Sequence, residues 1–214
     1  MNVNNSRTYK VKLQPFRQDW WKDAELAKVD HFPWAAKDDY RPVTYARLGT
    51  DGASLFVFME TDETKLRTET KGFGHVHTDS CMEFFVAPDP ASQKYFNFEF
   101  NPLGAMYLSI GTSRYDREVL SMDNYFDLFQ VKTAIHDKGW NLEFKVPLSF
   151  LCRFFPALEL KPGCIMRGNF YKCGDETARP HYGCWSPIDL PKPDFHCPAF
   201  FGTLTLVLGV PGHA

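Results

Sequence analysis

Two glutamates, Glu83 and Glu99, lie in neighbouring strand-like segments, at positions where side chains alternate between two faces. A sheet built from these segments places both carboxyl groups on one surface. Paired carboxyl groups are the equipment of glycoside hydrolysis, in which one acts as general acid and the other as base or nucleophile. Two glutamates on one sheet face more often serve as hydrogen-bonding groups. They therefore predict a polar binding surface, with a glycoside hydrolase as the alternative.

Two histidines, His75 and His77, alternate with Asp79 in the pattern H-x-H-x-D. On an extended segment this spacing puts three potential metal ligands on one side. A metal-dependent hydrolase is a second enzymatic alternative, although two solvated histidines in a loop are the more common outcome. The sequence contains neither a Gly-rich phosphate loop nor a G-x-S-x-G nucleophile motif.

The composition limits the partners of the chain. Aromatic residues make up 16% of its 214 residues, which favours pleated, half-buried sheets. The formal net charge of −2 gives no electrostatic basis for binding nucleic acid. No apolar run approaches the length of a membrane span, and no signal peptide is visible. We expect neither nucleic acid nor a membrane as partner. A cytoplasmic location is expected as the sequence stands, and an extracellular one if a leader has been trimmed.

None of the six cysteines stands in a C-x-x-C pair, which argues against a zinc ribbon. Cys81 and Cys152 lie in apolar runs and are predicted to be small buried hydrophobes. The other four lie in the last third of the chain: Cys164, Cys173, Cys184 and Cys197. Without a leader, reduced thiols are predicted rather than disulfides.

Three short segments of strand character, 81–87, 94–101 and 105–110, are separated by Pro, Gly, Asp and Asn. The middle segment alternates. Three phenylalanines share one of its faces: Phe96, Phe98 and Phe100. The opposite face carries its polar and tyrosine side chains: Tyr95, Asn97, Glu99 and Asn101. This pattern predicts an aromatic core beneath a rigid polar surface.

A hairpin is expected from segments 43–48 and 54–60 around the turn Asp51-Gly52. The remaining strands are predicted at 129–135, 140–146, 165–173 and 203–208. Residues 1–40 are predicted to be irregular, with a short helix at 22–28, and a helical turn is expected at 149–154. The predicted loops are 61–80, 114–127 and 174–200.

This many short strands, with few helices and no internal repeat, predicts an all-β fold. The specific expectation is a jelly-roll-like β-sandwich of two antiparallel sheets, forming a single domain over residues 1–214. Alternating side chains are predicted to be buried between the sheets: Phe96, Phe98, Phe100, Trp140, Leu142 and Phe144. Trp185 is also predicted to lie in the core.

Seven pieces of the sequence occur in a recognisable order: PVTYARLGTDGASLFVFMETDE, DSCMEFFVAPDP, FEFNPLGAM, WNLEFKVP, GNFY, CWSPID and FHCPAFFGTLTL. Together they resemble the family 9 carbohydrate-binding modules and their DOMON-like relatives, over nearly the whole chain from about Trp20. The ordered set carries the resemblance, because these pieces seldom occur together by chance.

The resemblance implies a sandwich that binds sugars without catalysis. Members of the family hold a sugar between two aromatic rings, while polar groups of the sheet face bind its hydroxyls. The corresponding positions fall on Glu83, Asn97, Tyr171 and Phe195. Sugar-binding members carry Arg in place of Asn97, Gln in place of Tyr171 and Trp in place of Phe195.

The second aromatic ring of the family falls within GFGHVH, where Phe73, His75 or His77 stands in for it. A carbohydrate ligand is therefore expected on the sheet face that bears Glu83, at the end covered by loops 73–79 and 181–196. Further residues near that end that would line a pocket are Lys172, His181 and Tyr182.

The resemblance also raises two cofactor hypotheses. Family members often carry structural calcium, for which the chain offers four oxygen donors: Asp51, Glu60, Asp62 and Asp79. DOMON-like relatives include haem binders, a weaker alternative that needs axial ligands such as Met106 or Met122. The oligomeric state and the identity of any metal are left open.

Overall fold

The computed structural model describes residues 6–209. Within this range the strands, numbered in chain order, are β1 (Thr8–Leu13), β2 (Ala27–Val29), β3 (Thr44–Thr50), β4 (Ser54–Thr61), β5 (Cys81–Ala87), β6 (Tyr95–Phe100), β7 (Met106–Gly111), β8 (Arg117–Val119), β9 (Lys132–His136), β10 (Gly139–Pro147), β11 (Ile165–Cys173), β12 (Tyr182–Cys184) and β13 (Gly202–Leu208). The short helices in the same range are α1 (Tyr125–Leu128), α2 (Leu148–Leu151) and two 3-10 turns, Trp20–Asp23 and Pro198–Phe200.

The described strands form one curled sheet in the order β8-β7-β6-β5-β11-β13-β1-β3-β4-β10-β9, with β12 beside β11 and β2 beside β3. Its two ends fold over each other. Phe144 of β10 meets Phe98 and Phe100 of β6, with ring centroids 5.9 and 4.6 Å apart. The predicted all-β sandwich is confirmed. Its two layers are continuous with each other, because β1 pairs in parallel with both β13 and β3.

The core between the layers is aromatic. The six side chains predicted for it are each at most 1% exposed: Phe96, Phe98, Phe100, Trp140, Leu142 and Phe144. Trp185 is also buried, as predicted. Burying a large apolar side chain stabilises the fold by about 1.5–3 kcal/mol, so this alternating set determines which face of β6 and β10 points inward.

The predicted hairpin is confirmed between β3 and β4. Asp51 closes its turn, since Oδ1 accepts hydrogen bonds from the backbone N–H groups of Ala53 and Ser54 at 2.9 and 2.8 Å. Gly52 has φ +88°, a left-handed conformation that glycine adopts without steric cost. The helical turn predicted near residue 149 is also present, as α2.

The N-terminal expectation is wrong in two respects. Residues 8–13 form β1 rather than an irregular segment, and the predicted helix at 22–28 is replaced by a 3-10 turn followed by β2. Tyr9 and Val11 of β1 are buried while Lys10 and Lys12 alternate with them. The strand forms because its partners lie far away in sequence, on β13 and β3. Residues 1–5 lie outside the described range.

Two predicted loops and one predicted strand differ from the structure in their extent. The predicted loop at 114–127 contains β8 and the start of α1, and the loop at 174–200 contains β12 and the second 3-10 turn. The strand predicted at 129–135 begins only at Lys132, because Phe129 is buried in the core at the end of α1. The six cysteines, which all lie in the described range, are free thiols, as predicted.

Candidate functional site

A single row of side chains crosses four strands on the face opposite the phenylalanine core. Glu99 of β6 lies directly opposite Tyr107 of β7 on one side and Glu83 of β5 on the other. Glu83 in turn lies opposite Tyr171 of β11. Directly opposed residues share a sheet face, and neighbouring strands are about 4.8 Å apart. The predicted pairing of Glu83 with Glu99 on one surface is therefore present.

The two carboxyl groups are buried, with Glu83 2% and Glu99 4% exposed. Burial raises the pKa of Glu83 well above its usual value of 4.5, and the nearby charge of Glu99 raises it further. Burial also raises the pKa of Glu99 to about 7, against the opposing effects of Asn97 and Arg117. Both shifts favour the protonated form of the two carboxyl groups, which can donate as well as accept a hydrogen bond.

Asn97 is completely buried and lies beside the row rather than at the surface. Its Nδ2 donates to Glu99 Oε1 at 2.7 Å, and its Oδ1 accepts from Ser109 Oγ and from the guanidinium of Arg117. The Arg117 guanidinium also lies over the ring of Tyr95, 4.4 Å from its centroid. Asn97 therefore orients Glu99 from beside it, and a guanidinium is supplied by Arg117, on strand β8.

Tyr171 and Phe195 are also brought together, as a stacked pair with ring centroids 4.1 Å apart. Tyr171 is completely buried, and its hydroxyl donates to the backbone oxygen of Phe195 at 3.2 Å. Phe195 is 8% exposed and also contacts the rings of Trp34 and Tyr182. Tyr171 thus supports the wall that Phe195 and Tyr182 form above the row.

The histidines His75 and His77 lie on the opposite wall. The His75 ring stacks on Tyr107 with centroids 4.9 Å apart, and His77 lies 5.7 Å from His75. Phe73 packs behind them, 6.0 Å from Tyr107. The segment GFGHVH therefore does supply rings at the expected end of the sheet, where Phe73 and His75 contact Tyr107 of β7.

The walls and the row enclose a cavity of about 470 Å³, within the size range of small-molecule sites. Four of the six predicted site residues line it: His75, His77, Glu83 and Phe195. The other two, Asn97 and Tyr171, lie behind its surface. Lining residues that the sequence analysis did not select as ligand contacts are Tyr107, Arg114, Arg117, Cys173, Asp175, Pro193, Asp194 and His196. Tyr107 was detectable from sequence, because it continues the alternation of the polar face onto β7.

His196 and an ion pair fix the outer loop over β6 and β8. Burial, together with the charges of Arg117 and Arg114, lowers the pKa of His196 to about 3, so the imidazole is neutral. Its Nδ1 is hydrogen-bonded to the Tyr95 hydroxyl at 3.0 Å. Arg114 pairs with Asp194 at 3.3 Å. The roof of the cavity is thus attached to the sheet by polar contacts.

Lys172 and His181, predicted as possible lining residues, lie outside this cavity in a separate buried cluster. Lys172 Nζ pairs with Glu63 at 2.8 Å and lies 2.9 Å from His181 Nε2. Both side chains are completely buried. Lys172 thereby connects β11 to the segment that follows β4.

Asp79 does not complete a metal triad with the histidines. Its carboxylate accepts hydrogen bonds from the Arg67 side chain, the backbone N–H groups of Glu69 and Thr70, and the Asn101 side chain. Each of the other calcium candidates also contacts the protein: Asp51 caps the hairpin turn, Glu60 pairs with Arg47, and Asp62 accepts from the Val43 N–H. Calcium binding stays a prediction.

A concave cavity in which a few fixed polar groups lie between aromatic side chains is typical of a small-molecule binding site. A family profile, carbohydrate-binding family 9, matches residues 19–206. The chain therefore belongs to carbohydrate-binding family 9. This membership favours the non-catalytic binding module over the hydrolase and haem alternatives.

Solved structures agree with the family. A provisionally assigned carbohydrate-binding protein from Bacteroides uniformis is 30% identical, covers 94% of this chain and 99% of its own, and has a TM-score of 0.80. A family 9 module from Caldicellulosiruptor kristjanssonii, solved with glucose, is 15% identical over 97% of this chain and 99% of its own, with a TM-score of 0.66. A family 9 module from the same organism, solved with cellotriose, is 14% identical over 97% of each chain, with a TM-score of 0.67. Comparison with curated proteins gives no match.

Between residues 6 and 209, no helix has the length and apolar character needed to span a membrane.

The buried glutamate pair predicts an unusual pH dependence of stability. An unfolded chain releases the Glu99 proton near pH 4.5, whereas the folded chain retains it up to about pH 7. The folded state therefore binds more protons in this window, and the unfolding free energy falls as pH rises, by at most about 1.4 kcal/mol per pH unit from this group. Urea unfolding at several pH values measures the slope.

Glu99→Gln is expected to flatten that slope, since the amide cannot titrate but its oxygen can still accept from Asn97. Glu118→Gln, at an exposed position on β8, is the matched control and should leave the slope unchanged. An identical slope in wild type and Glu99→Gln would contradict the prediction.

Proposed function

We propose that this chain holds one sugar residue of a carbohydrate in the cavity above Glu83 and Glu99, and binds it without transforming it. The observation that carries the proposal is the row Tyr107–Glu99–Glu83–Tyr171, which places two buried carboxyl groups between two aromatic walls. A sugar presents polar hydroxyls at its edge and an apolar C–H face, and this arrangement complements both.

The floor suits hydroxyl groups because it offers donors and acceptors at fixed positions. Glu83, whose pKa is raised by burial, accepts from the Cys173 thiol at 2.8 Å, while Glu99 is oriented by the Asn97 amide at 2.7 Å. Fixed partners reduce the entropy lost when a ligand is bound. Each sugar hydroxyl is both a donor and an acceptor, and a carboxyl group can match it as an acceptor when ionised and also as a donor when protonated.

The walls suit the apolar face of a sugar ring. Tyr107 and Tyr182 are partly exposed aromatic rings that line the cavity, backed respectively by His75 and Phe195. Phe195 itself is mostly covered, so we expect its main contribution through Tyr182 and the loop that it anchors. We therefore expect the sugar ring to stack chiefly on Tyr107 and Tyr182 in this chain, whereas other family members use tryptophans.

A glycan array first establishes the preferred sugar. Isothermal titration calorimetry with that sugar, and with glucose and cellotriose, the sugars present in the related family 9 complexes, then tests the proposal. Tyr107→Ala and Phe195→Ala are each expected to weaken binding by about 1–3 kcal/mol, by analogy with the burial of a large side chain. Glu83→Gln is expected to weaken binding less, because the amide keeps one donor and one acceptor. Tyr115→Ala is the matched control, since Tyr115 is 93% exposed and does not line the cavity.

Equal affinity for wild type, Tyr107→Ala and Glu83→Gln, with the fold intact by circular dichroism, would place the binding site elsewhere. Turnover of an aryl glycoside that Glu83→Gln abolishes would contradict the non-catalytic assignment in favour of the hydrolase. A Soret absorption band in the purified protein would favour the haem alternative.

A further inference from the structure

Two thiols and a carboxyl group meet at one end of the cavity floor. Cys81, Glu83 and Cys173 each offer one potential ligand atom, and these atoms all lie within 4.8 Å of one another. Among residues 6–209, no other group of three His, Cys, Asp or Glu side chains has its potential ligand atoms this close together. All three residues are at most 2% exposed.

The sheet holds these groups in place. Cys81 of β5 lies directly opposite Cys173 of β11, and Glu83 is two residues along the same strand and face. The Cys173 thiol already donates to Glu83 Oε1 at 2.8 Å. In a tetrahedral zinc site with Zn–S bonds of about 2.3 Å, two sulfur atoms lie about 3.8 Å apart. The side chains therefore need to close in by about 1 Å at most to coordinate one ion.

We propose that Cys81, Cys173 and Glu83 form a binding site for a thiophilic divalent cation of the zinc class. Sulfur ligands select zinc over calcium or magnesium, which prefer oxygen. Two thiolates cancel the charge of the cation, so an occupied site adds no net charge to this buried region, apart from any carried by Glu83.

The site has an entrance, because Cys173 and Glu83 both line the cavity. The fourth coordination position can be filled by a water molecule from that cavity, as in open zinc sites with three protein ligands. Glu83 has two oxygens, so one can bind the ion while the other stays available to the cavity floor.

Metal binding at this site exchanges protons for the cation. One divalent cation, two neutral thiols and the Glu83 carboxylate give one metal complex and two protons, and the protons leave through the cavity. A Glu83 carboxyl group that starts protonated releases a third proton when it binds the ion. Both thiols start protonated: burial raises the pKa of Cys81 to about 12, and the hydrogen bond with Cys81 together with burial raises the pKa of Cys173. No electron is transferred, and no oxidant is needed.

The test uses the full, reduced chain and Co²⁺ as a spectroscopic probe for zinc. We expect one equivalent of Co²⁺ to produce a sulfur-to-cobalt charge-transfer band in the near ultraviolet together with the visible bands of tetrahedral cobalt. Addition of Zn²⁺ should remove these bands. Zn²⁺ should also raise the unfolding temperature of the wild type, because an ion that binds only the folded state stabilises it.

Cys81→Ser and Cys173→Ser are each expected to abolish the band. Cys184→Ser is the matched control, since Cys184 is an equally buried free thiol on the neighbouring strand β12. Co²⁺ held by His75 and His77 instead would give no sulfur band, and this result would overturn the proposal. So would a folded wild type that shows no band, or a band that persists in both serine variants. The titration contains no sugar, so its failure leaves the carbohydrate proposal standing.

Discussion

Lys172→Met is expected to lower the free energy of unfolding by about 3–5 kcal/mol, because it removes one partner of a buried ion pair. The side chains of Lys172 and Glu63 are 0% and 2% exposed, and their charged groups lie 2.8 Å apart. Lys172 Nζ also donates to the Cys173 backbone oxygen at 2.9 Å. Without the ammonium group, the Glu63 carboxylate is left buried with no opposite charge.

His181 completes this cluster as an acceptor. Burial, together with the charge of Lys172, lowers the pKa of His181 to about 3, so its ring is neutral. Nδ1 donates to the Arg179 backbone oxygen at 2.8 Å, which leaves Nε2 free to accept from Lys172. The lysine thus donates to Cys173 on β11 and to His181 on the loop before β12, and it forms an ion pair with Glu63 on the segment after β4.

Guanidinium unfolding of Lys172→Met, Glu63→Gln and the double variant measures the effect. We expect the double variant to recover much of the loss, since removing both charges leaves neither one uncompensated. Lys161→Met, which breaks the fully exposed pair with Glu159, should change stability little. A loss in Lys172→Met no larger than that of Lys161→Met would contradict the assignment.

Asp79→Ala is expected to lower the free energy of unfolding by about 3–5 kcal/mol as well, since it leaves one buried and three partly buried donors without their acceptor. The Asp79 carboxylate accepts from Arg67 at 2.6 Å, from the N–H groups of Glu69 and Thr70 at 3.0 and 2.9 Å, and from Asn101 at 2.9 Å. These bonds hold the irregular segment 62–80 against the end of the sheet, and that segment carries the histidine wall of the cavity. Sugar affinity should therefore fall together with stability.

The same carboxylate should contribute to acid unfolding. Burial alone would raise its pKa, but the hydrogen bonds from Asn101, Thr70, Glu69 and Arg67 together lower the pKa of Asp79 below its usual value of 3.8. A group with a lowered folded-state pKa stabilises the fold above its unfolded pKa, and this stability is lost as the pH falls through the folded pKa.

Thermal unfolding of wild type, Asp79→Ala and Asp79→Asn at pH 7 and in acid separates these contributions. Asp79→Asn keeps one acceptor oxygen and should lie between the other two at pH 7, with a weaker response to acid than wild type. Asp89→Ala is the control. Asp89 lies in an exposed turn, and its carboxylate accepts one hydrogen bond, from the Ala91 backbone N–H. Equal stability of Asp79→Ala and Asp89→Ala would show that the carboxylate does not anchor the segment.

The faces of the strands were predictable from the sequence because side-chain direction alternates with a period of two residues. Phe96, Phe98 and Phe100 point to the core, and Asn97 and Glu99 point to the other face. The Asp51-Gly52 turn was equally predictable, since a glycine at positive φ and a capping carboxylate are local requirements.

Burial on the polar face was not predictable, because loops from other parts of the chain cover it. Asn97 and Tyr171 look like surface residues when their strands are considered alone, but both are completely buried. Phe195 covers Tyr171, and Arg117 reaches Asn97 from the edge strand. A guanidinium beside Asn97 is thus supplied by a different strand, which no local pattern of β6 reveals.

The sequence by itself determined the all-β class, the core face of each central strand and the presence of Glu83 and Glu99 on one polar surface, because these depend on the alternation of neighbouring residues. Tertiary structure alone decided that β1 joins the two layers, that Cys81 lies opposite Cys173, and that His75 stacks on Tyr107. These pairings join residues far apart in sequence, and their partners are selected by the packing of the whole sheet rather than by any local preference.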